Sequence, residues 1–225
     1  MYPEKLSSHN WLIFRIGNEM LRRRLPSLGG NVLDIGCGER PFEVDVLQYA
    51  NTYVGMDWSN SLHELRADVI ADANRPFPFQ DGSFDHVLSF EVLEHLAEPE
   101  AMLREAHRVL RNGGELTLSV PFQWWVHEAP WDYQRFTKYG LDYRLKKAGF
   151  AEVVILPRTG FWSMWILKFN YQTARLIRGP RSLRWMTRAL LVPMWWINQS
   201  IGPVLDRLWP DDRETAGYFV TARKP

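Results

Sequence analysis

Apolar positions along this chain follow two periods in alternation. Residues 31–36, 52–57, 69–72, 84–90, 115–120 and 152–156 are short apolar runs that suit buried strands. Between them apolar residues recur every three or four positions. Residues 98–111 carry Met102, Leu103, Ala106, Val109 and Leu110 on one stripe, with Gly113 and Gly114 as the stop. Val44, Val46 and Leu47 give a weaker helix signal, and 138–148 a further helix that Gly149 ends. A leading helix over 11–25 presents Trp11, Ile13, Ile16 and Met20, and a last strand covers 217–223. Strand–helix alternation of this kind predicts an α/β fold: a doubly wound, mostly parallel, seven-stranded sheet with helices on both faces.

The pattern changes between strands six and seven. Residues 161–209 read as helical, broken at Gly179-Pro180, and form an insertion where a short hairpin loop would suffice. Trp162, Ile166, Phe169, Leu176 and Ile177 share one side of the first helix, and Lys168, Gln172 and Arg175 the other. The uncharged run 189–205 is 17 residues long, but Pro193, Asn198, Gln199 and Pro203 make it a poor membrane span. The expected organisation is therefore a sheet domain over 1–160 and 210–225, with 161–209 as a lid, a membrane-surface element or a homodimer face.

Charge sharpens that division. The formal net charge of +1 conceals −6 over residues 1–152 and +7 over 153–225, and no acid occurs between Glu152 and Asp206. Six of the eleven tryptophans lie between Phe161 and Trp209. Basic, aromatic, amphipathic helices suit a lipid interface. A nucleic-acid partner is not expected, because the sheet domain is acidic and the basic residues accompany aliphatic faces. Cys37 is the single cysteine, so no intramolecular disulfide forms, and a reducing compartment is expected. Residues 1–5, Met-Tyr-Pro-Glu-Lys, lack the basic start and apolar run of a signal peptide. The expected location is cytoplasmic, with the inner face of the membrane as the place of any peripheral contact.

The first strand ends in Asp34-Ile35-Gly36-Cys37-Gly38. Two glycines one residue apart let the backbone turn sharply where a ligand approaches. NAD and S-adenosylmethionine both bind at such turns. An NAD fingerprint needs a third glycine, and Pro41 stands there, which argues against a dehydrogenase. Asp57 ends strand two, 23 residues after Asp34, and can accept both hydroxyls of a ribose.

Six segments in this order and spacing resemble the class I S-adenosylmethionine-dependent methyltransferases. They are Asp34-Ile35-Gly36-Cys37-Gly38, Gly55-Met56-Asp57, Ala71-Asp72-Ala73 with Pro76-Phe77-Pro78-Phe79, Asp81-Gly82-Ser83-Phe84-Asp85, Glu91-Val92-Leu93-Glu94-His95 and Val109-Leu110-Arg111-Asn112-Gly113-Gly114. The match covers about residues 28–152, with Gly217 to Lys224 matching the last strand, and is nearest to the small-molecule branch. The resemblance implies a Rossmann-like fold, S-adenosylmethionine as cofactor, and a set of roles. Gly36 and Gly38 would pass beneath the methionine part and Asp34 would help hold its ammonium. Asp57 would take the ribose, Asp72 and Ala73 would meet the adenine, and Phe90 and Glu91 would lie near the methyl group. An alternative for Asp72 is a strand-end acid capping a turn.

Transfer from a sulfonium is an in-line displacement, dominated by positioning. A hydroxyl acceptor needs a base, and His127, Glu91 and Arg135 are the catalytic candidates. His127 lies in the loop Val126–Thr137 and could deprotonate an acceptor, while Arg135 could bind a substrate carboxylate or phosphate. Alternatively Asp132, Arg135 and Thr137 tie that loop internally and cap the next helix. No metal is required by this reading. A second one notes that Glu91, Glu94 and His95 would share a helix face if a helix starts there. Glu-x-x-Glu-His is similar to the metal site of some O-methyltransferases, with His127 as a further ligand, and this donor set suits zinc or manganese better than magnesium. The expected reaction is methyl transfer, at oxygen, to a small-molecule, glycan or lipid-linked acceptor. A module that binds the cofactor without chemistry is the alternative from another class.

Overall fold

A computed structural model describes residues 1–60 and 64–225. Its helices are α1 (Trp11–Arg24), α2 (Glu43–Val46), α3 (Pro99–Val109), α4 (Lys138–Lys147), α5 (Phe161–Ala174) and α6 (Arg181–Leu208). Its strands are β1 (Asn31–Ile35), β2 (Thr52–Asp57), β3 (Val69–Ile70), β4 (Phe84–Phe90), β5 (Leu110–Pro121), β6 (Ala151–Pro157) and β7 (Gly217–Arg223). The seven strands form one sheet in the order β3-β2-β1-β4-β5-β7-β6. Pairing is parallel from β3 through β5, and β7 runs antiparallel to β5. The predicted α/β architecture and the helical insertion between β6 and β7 are both present.

The chain divides into two compact units. One holds Met1, Arg22–Leu156 and Gly217–Pro225; the other holds Tyr2–Leu21 and Pro157–Ala216. Residues 2–21, expected with the sheet, therefore group with the insertion.

In the sheet unit the α3 stripe is buried as its periodicity requires: Met102, Leu103, Ala106 and Val109 have no exposed surface. They pack into one cluster with Leu33, Val87, Leu116 and Val220 from the sheet. Burying each such aliphatic side chain contributes about 1.5–3 kcal/mol. The helix ends earlier than Gly113 and Gly114 suggest. Leu110 already pairs with Phe84, and the register then shifts so that His86 pairs with Glu115. The glycines belong to this irregularity: Gly113 has φ +79°, and a Cβ on Gly114 would meet two carbonyl oxygens at 2.9 Å. Strand β3 is shorter than expected because the Asp72 carboxylate turns the chain, accepting from the Asn74 amide at 2.9 Å.

In the other unit, α6 supplies the groups that close two helix starts. The first amides of a helix have no partner within it. Asp206, from α6, accepts from the amides of Gly160, Trp162 and Ser163 at 3.2, 2.9 and 3.3 Å, at the start of α5. Gln199, fully buried, accepts from the Leu12 amide at 2.8 Å, at the start of α1, and donates to the Ser8 carbonyl at 3.0 Å. His9 packs edge-on against Tyr171 and Trp195. These contacts explain why residues 2–21 join this unit. The buried side of α5 is Ser163, Met164, Ile166, Leu167 and Asn170, whereas Phe169 and Leu176, read as part of one apolar side, face solvent.

Candidate active site

The carboxyl ends of β1, β2, β4 and β5 converge on the expected cofactor turn. Gly36 and Gly38 have φ of +72° and +49°, the left-handed region that glycine enters without steric cost. A Cβ on Gly36 would stand 2.3 Å from Val92 Cγ2. The protein's own packing therefore already demands this glycine, independently of any ligand. Asp57 fastens the turn: its Oδ2 accepts from the Gly38 amide and its Oδ1 from the Trp58 amide, both at 2.7 Å. Each carboxylate oxygen accepts about two hydrogen bonds, so Asp57 keeps capacity on both oxygens, which is what a vicinal diol needs. The turn and its acid thus fit a ribose-bearing cofactor.

Asp34 is 2% exposed and accepts from the Tyr53 hydroxyl. Burial pushes its pKa up to about 7; the Tyr53 hydrogen bond works against that rise and the Asp57 charge adds to it. A cationic ligand group beside it would favour its ionised form. Cys37 is buried, its thiol pushed up to about 12 by burial and the neighbouring acids, and it is not a nucleophile here. Asp72 uses Oδ1 on the amide and the side chain of Asn74, the turn-capping alternative. Ala73 is buried beside it. Phe90 meets Phe42 edge-on, with ring centroids 4.9 Å apart.

No helix starts at Glu91, so the expected helical face is not how its neighbours meet. Glu91 has φ +55°, a conformation that costs a non-glycine residue about 1–3 kcal/mol and clusters at functional sites. It is held by its own amide donating to the Ser119 carbonyl at 3.0 Å and by the Ser119 hydroxyl donating to its Oε1 at 2.5 Å. A single 3-10 turn, Leu93–His95, follows. The loop after β5 docks on that turn through the Tyr133 and Gln134 amides, which donate to the Glu94 carbonyl. This brings His127 to Glu94 and His95 after a long excursion of the chain.

The result is a buried carboxylate facing two imidazoles. Glu94 has no exposed surface, and neither of its oxygens has a hydrogen-bond partner. His95 Nε2 lies 3.6 Å and His127 Nε2 3.8 Å from Glu94 Oε1. His95 Nδ1 is 3.1 Å from the Trp131 carbonyl, and a carbonyl only accepts, so the proton sits on Nδ1 and the Nε2 lone pair faces Glu94. His127 Nδ1 is 3.2 Å from Asp132 Oδ2 and 3.3 Å from the Trp125 carbonyl, with the Arg135 guanidinium farther at 3.5 Å, and the two nearer acceptors favour the same tautomer. Two imidazole nitrogens and a carboxyl group thus converge within 4.8 Å. Burial, and then the charge of Glu91, raises the pKa of Glu94 well above the carboxylate range, and burial lowers that of His95. A divalent cation would satisfy all three groups at once. The Asp132–His127 and Trp131–His95 contacts are the outer hydrogen bonds that metal-binding imidazoles make.

Arg135 directs its guanidinium into its own loop. It donates to both oxygens of Asp132 and to the carbonyls of Trp125 and Gln134. Burial works against ionisation of Asp132, but these hydrogen bonds and the His127 amide hold its pKa at about 2. Arg135 is a loop tie, and Thr137 caps α4 by accepting from the Gly140 amide. Trp58 and Trp131 meet edge-on at 5.2 Å, joining the segment after Asp57 to the loop that carries His127. Sequence reasoning missed this pair and the positioning role of Asp132 toward His127.

A family profile described as "Methyltransferase domain" matches residues 33–118. Among curated proteins the chain is 32% identical over 103 residues to a "Ubiquinone biosynthesis O-methyltransferase" of Pseudomonas aeruginosa, covering 41% of this chain and 44% of that protein. The chain thus matches less than half the length of this relative. Among solved structures it is similar to the "[4+2]-Cyclase SpnF", with a TM-score of 0.60, 20% identity and coverage of 93% and 80% of the two chains. It is also similar to phosphoethanolamine N-methyltransferase 2 of Haemonchus contortus in complex with S-adenosylhomocysteine. There the TM-score is 0.59 and the identity 19%, over 96% of this chain and 56% of that one. These structural likenesses carry the fold alone.

Proposed function

We propose that this chain, whose residues 33–118 match a methyltransferase-domain profile, is a class I S-adenosylmethionine-dependent methyltransferase that methylates a hydroxyl oxygen with the help of a divalent cation. The observation that carries this reading is the Glu94–His95–His127 cluster, where two imidazole nitrogens face a buried carboxyl group that has no hydrogen-bond partner. The O-methyltransferase names of relatives at about 32% identity support oxygen as the methylated atom. The acceptor class is a small-molecule, glycan or lipid-linked hydroxyl compound.

Glu94, His95 and His127 would hold the cation, which when bound supplies positive charge that favours the ionised form of an acceptor hydroxyl. His127, expected as a base, is then a ligand, and Glu91 takes the acceptor proton. The acceptor oxygen attacks the sulfonium methyl carbon as the carbon–sulfur bond breaks, leaving S-adenosylhomocysteine as a neutral thioether. Asp57 holds the ribose and Asp34 the ammonium, so the methyl group is presented in line. Trp58 and Trp131 exclude water beside the reacting groups.

The test is to incubate the purified chain with methyl-labelled cofactor and, separately, lipid and aqueous extracts. Label is expected in an oxygen-linked product, lost on chelation and restored by zinc or manganese. Full transfer after chelation would eliminate the cation, and binding of cofactor without transfer to any fraction would favour a non-catalytic module.

The elevated pKa of Asp34 adds a pH signature. Ammonium binding needs the carboxylate, so below about pH 7 a proton must leave before the ligand docks. Affinity for S-adenosylhomocysteine is expected to be flat above that pH and to fall up to about tenfold per unit below it. Calorimetry in buffers of differing ionisation enthalpy would register the released proton. A flat profile down to pH 5 would remove Asp34 from contact with the ammonium.

A further inference from the structure

Helix α6 carries an uncovered apolar stripe along its whole length. Leu183, Met186, Leu190, Ile197, Ile201 and Leu208 recur at three-, four- and seven-residue steps, and each is 45–74% exposed. At 100° per residue they share one side. Leu191, Trp195, Gln199 and Gly202, the buried residues of the helix, lie on the other. The first ten residues of the helix, 181–190, include no buried position. Trp185 and Trp196, 71% and 50% exposed, flank the stripe. Scattered exposed leucines are ordinary, but a continuous apolar face is not.

From Arg181 to Leu205 the charges around the stripe have one sign, and Asp206, the acid near the end of α6, is engaged at the start of α5. Arg175, Arg178, Arg181, Arg184 and Arg188 are all exposed, in the segment leading into α6 and along its first half, away from the apolar side. No acid lies anywhere from residue 153 to 205. Two copies packed stripe to stripe would bring arginine near arginine with no carboxylate from this segment to pair them. A surface of lipid phosphates complements both the apolar side and the arginines. Among the described residues no helix is long and apolar enough to cross a membrane, which fits a helix lying in the interface rather than spanning it.

We infer that α6 docks this protein on an anionic lipid surface, with Leu183 to Leu208 entering the headgroup–acyl boundary, the tryptophans at the interface and the arginines on lipid phosphates. The arrangement would bring the enzyme to an acceptor that resides in, or partitions into, the membrane.

The experiment is flotation of the full chain with vesicles of phosphatidylcholine, with and without phosphatidylglycerol. Binding is expected to require phosphatidylglycerol, to weaken with salt, and to fall about 20-fold in the paired variant Arg184→Gln, Arg188→Gln. Leu190→Glu, at a 74% exposed position, is expected to abolish flotation while leaving the melting temperature and cofactor binding unchanged. Absence of flotation on anionic vesicles, or flotation that survives Leu190→Glu, would overturn the inference. So would a dimer in sedimentation that Leu190→Glu dissociates, because it assigns the stripe to a second copy. The assay needs no acceptor and no metal, so its outcome is independent of the reaction proposed above.

Discussion

Replacing Asp57 by alanine is expected to weaken S-adenosylhomocysteine binding at least about 100-fold, because two hydrogen bonds from a ribose diol to a charged acceptor are worth about 1.5–3 kcal/mol each. The same change releases the Gly38 and Trp58 amides, both 2.7 Å from this carboxylate. The turn itself therefore loosens, and some of the loss is preorganisation. Asp57→Asn retains part of each contribution. Its single oxygen accepts from one of the two amides, its NH2 group faces the other, and it cannot serve both sides of the diol, so its affinity and its melting temperature should both lie between wild type and alanine. Calorimetric titration of the three proteins checks this. Unchanged affinity in the alanine variant would remove the ribose from Asp57 and with it the proposed seat of the cofactor.

The second large effect concerns Glu94, and its two readouts move in opposite directions. In Glu94→Gln the amide supplies two N–H donors to the two Nε2 lone pairs that face it at 3.6 and 3.8 Å. The new amide nitrogen gains a partner on each imidazole where the acid oxygen had none, and a buried polar group stabilises only when satisfied. The melting temperature is expected to rise. Turnover is expected to fall more than about 100-fold, since even outer hydrogen-bonding partners of metal ligands matter 10–100-fold. Zinc binding, read by equilibrium dialysis, should be lost. A variant that keeps wild-type turnover and metal-independent transfer would return catalysis to His127 acting alone as base.

The parts legible in the chain were those written in local periodicity. The α3 stripe could be read because Met102, Leu103, Ala106 and Val109 recur at helical spacing and all enter the buried cluster. β7 could be read because Gly217 to Arg223 is a plain apolar run, and it pairs residue for residue with β5. Asp57 stood out because a strand ends on it. The misreadings share a different cause, namely long-range partners. Glu91 was placed on a helix because offsets of three and four look helical, yet Ser119, 28 residues away, holds it in a left-handed bend. Arg135 resembled a substrate anchor until Asp132 and two carbonyls claimed its donors. The uncovered side of α5 could not be told from the covered one, since Trp162, Ile166 and Phe169 are equally apolar and only the packing of α6 distinguishes them. Gln199 and Asn198 counted against a membrane span, but their partners at Leu12, Ser8 and Asn170 could not be guessed from composition.

The remote closure of α1 and α5 by Gln199 and Asp206 bears on how this protein can be dissected. An excision of 161–209 looks harmless in one dimension, since it removes a loop between neighbouring strands. In three dimensions it also strips the leading helix of the side chain on its Leu12 amide and His9 of the Tyr171 and Trp195 rings it packs against. A shortened chain of that kind would be sticky and poorly soluble for reasons unrelated to lipid or catalysis. Any graft of this insertion onto another scaffold must likewise carry residues 2–21 along with it, because the transplantable piece is discontinuous in the gene though contiguous in space.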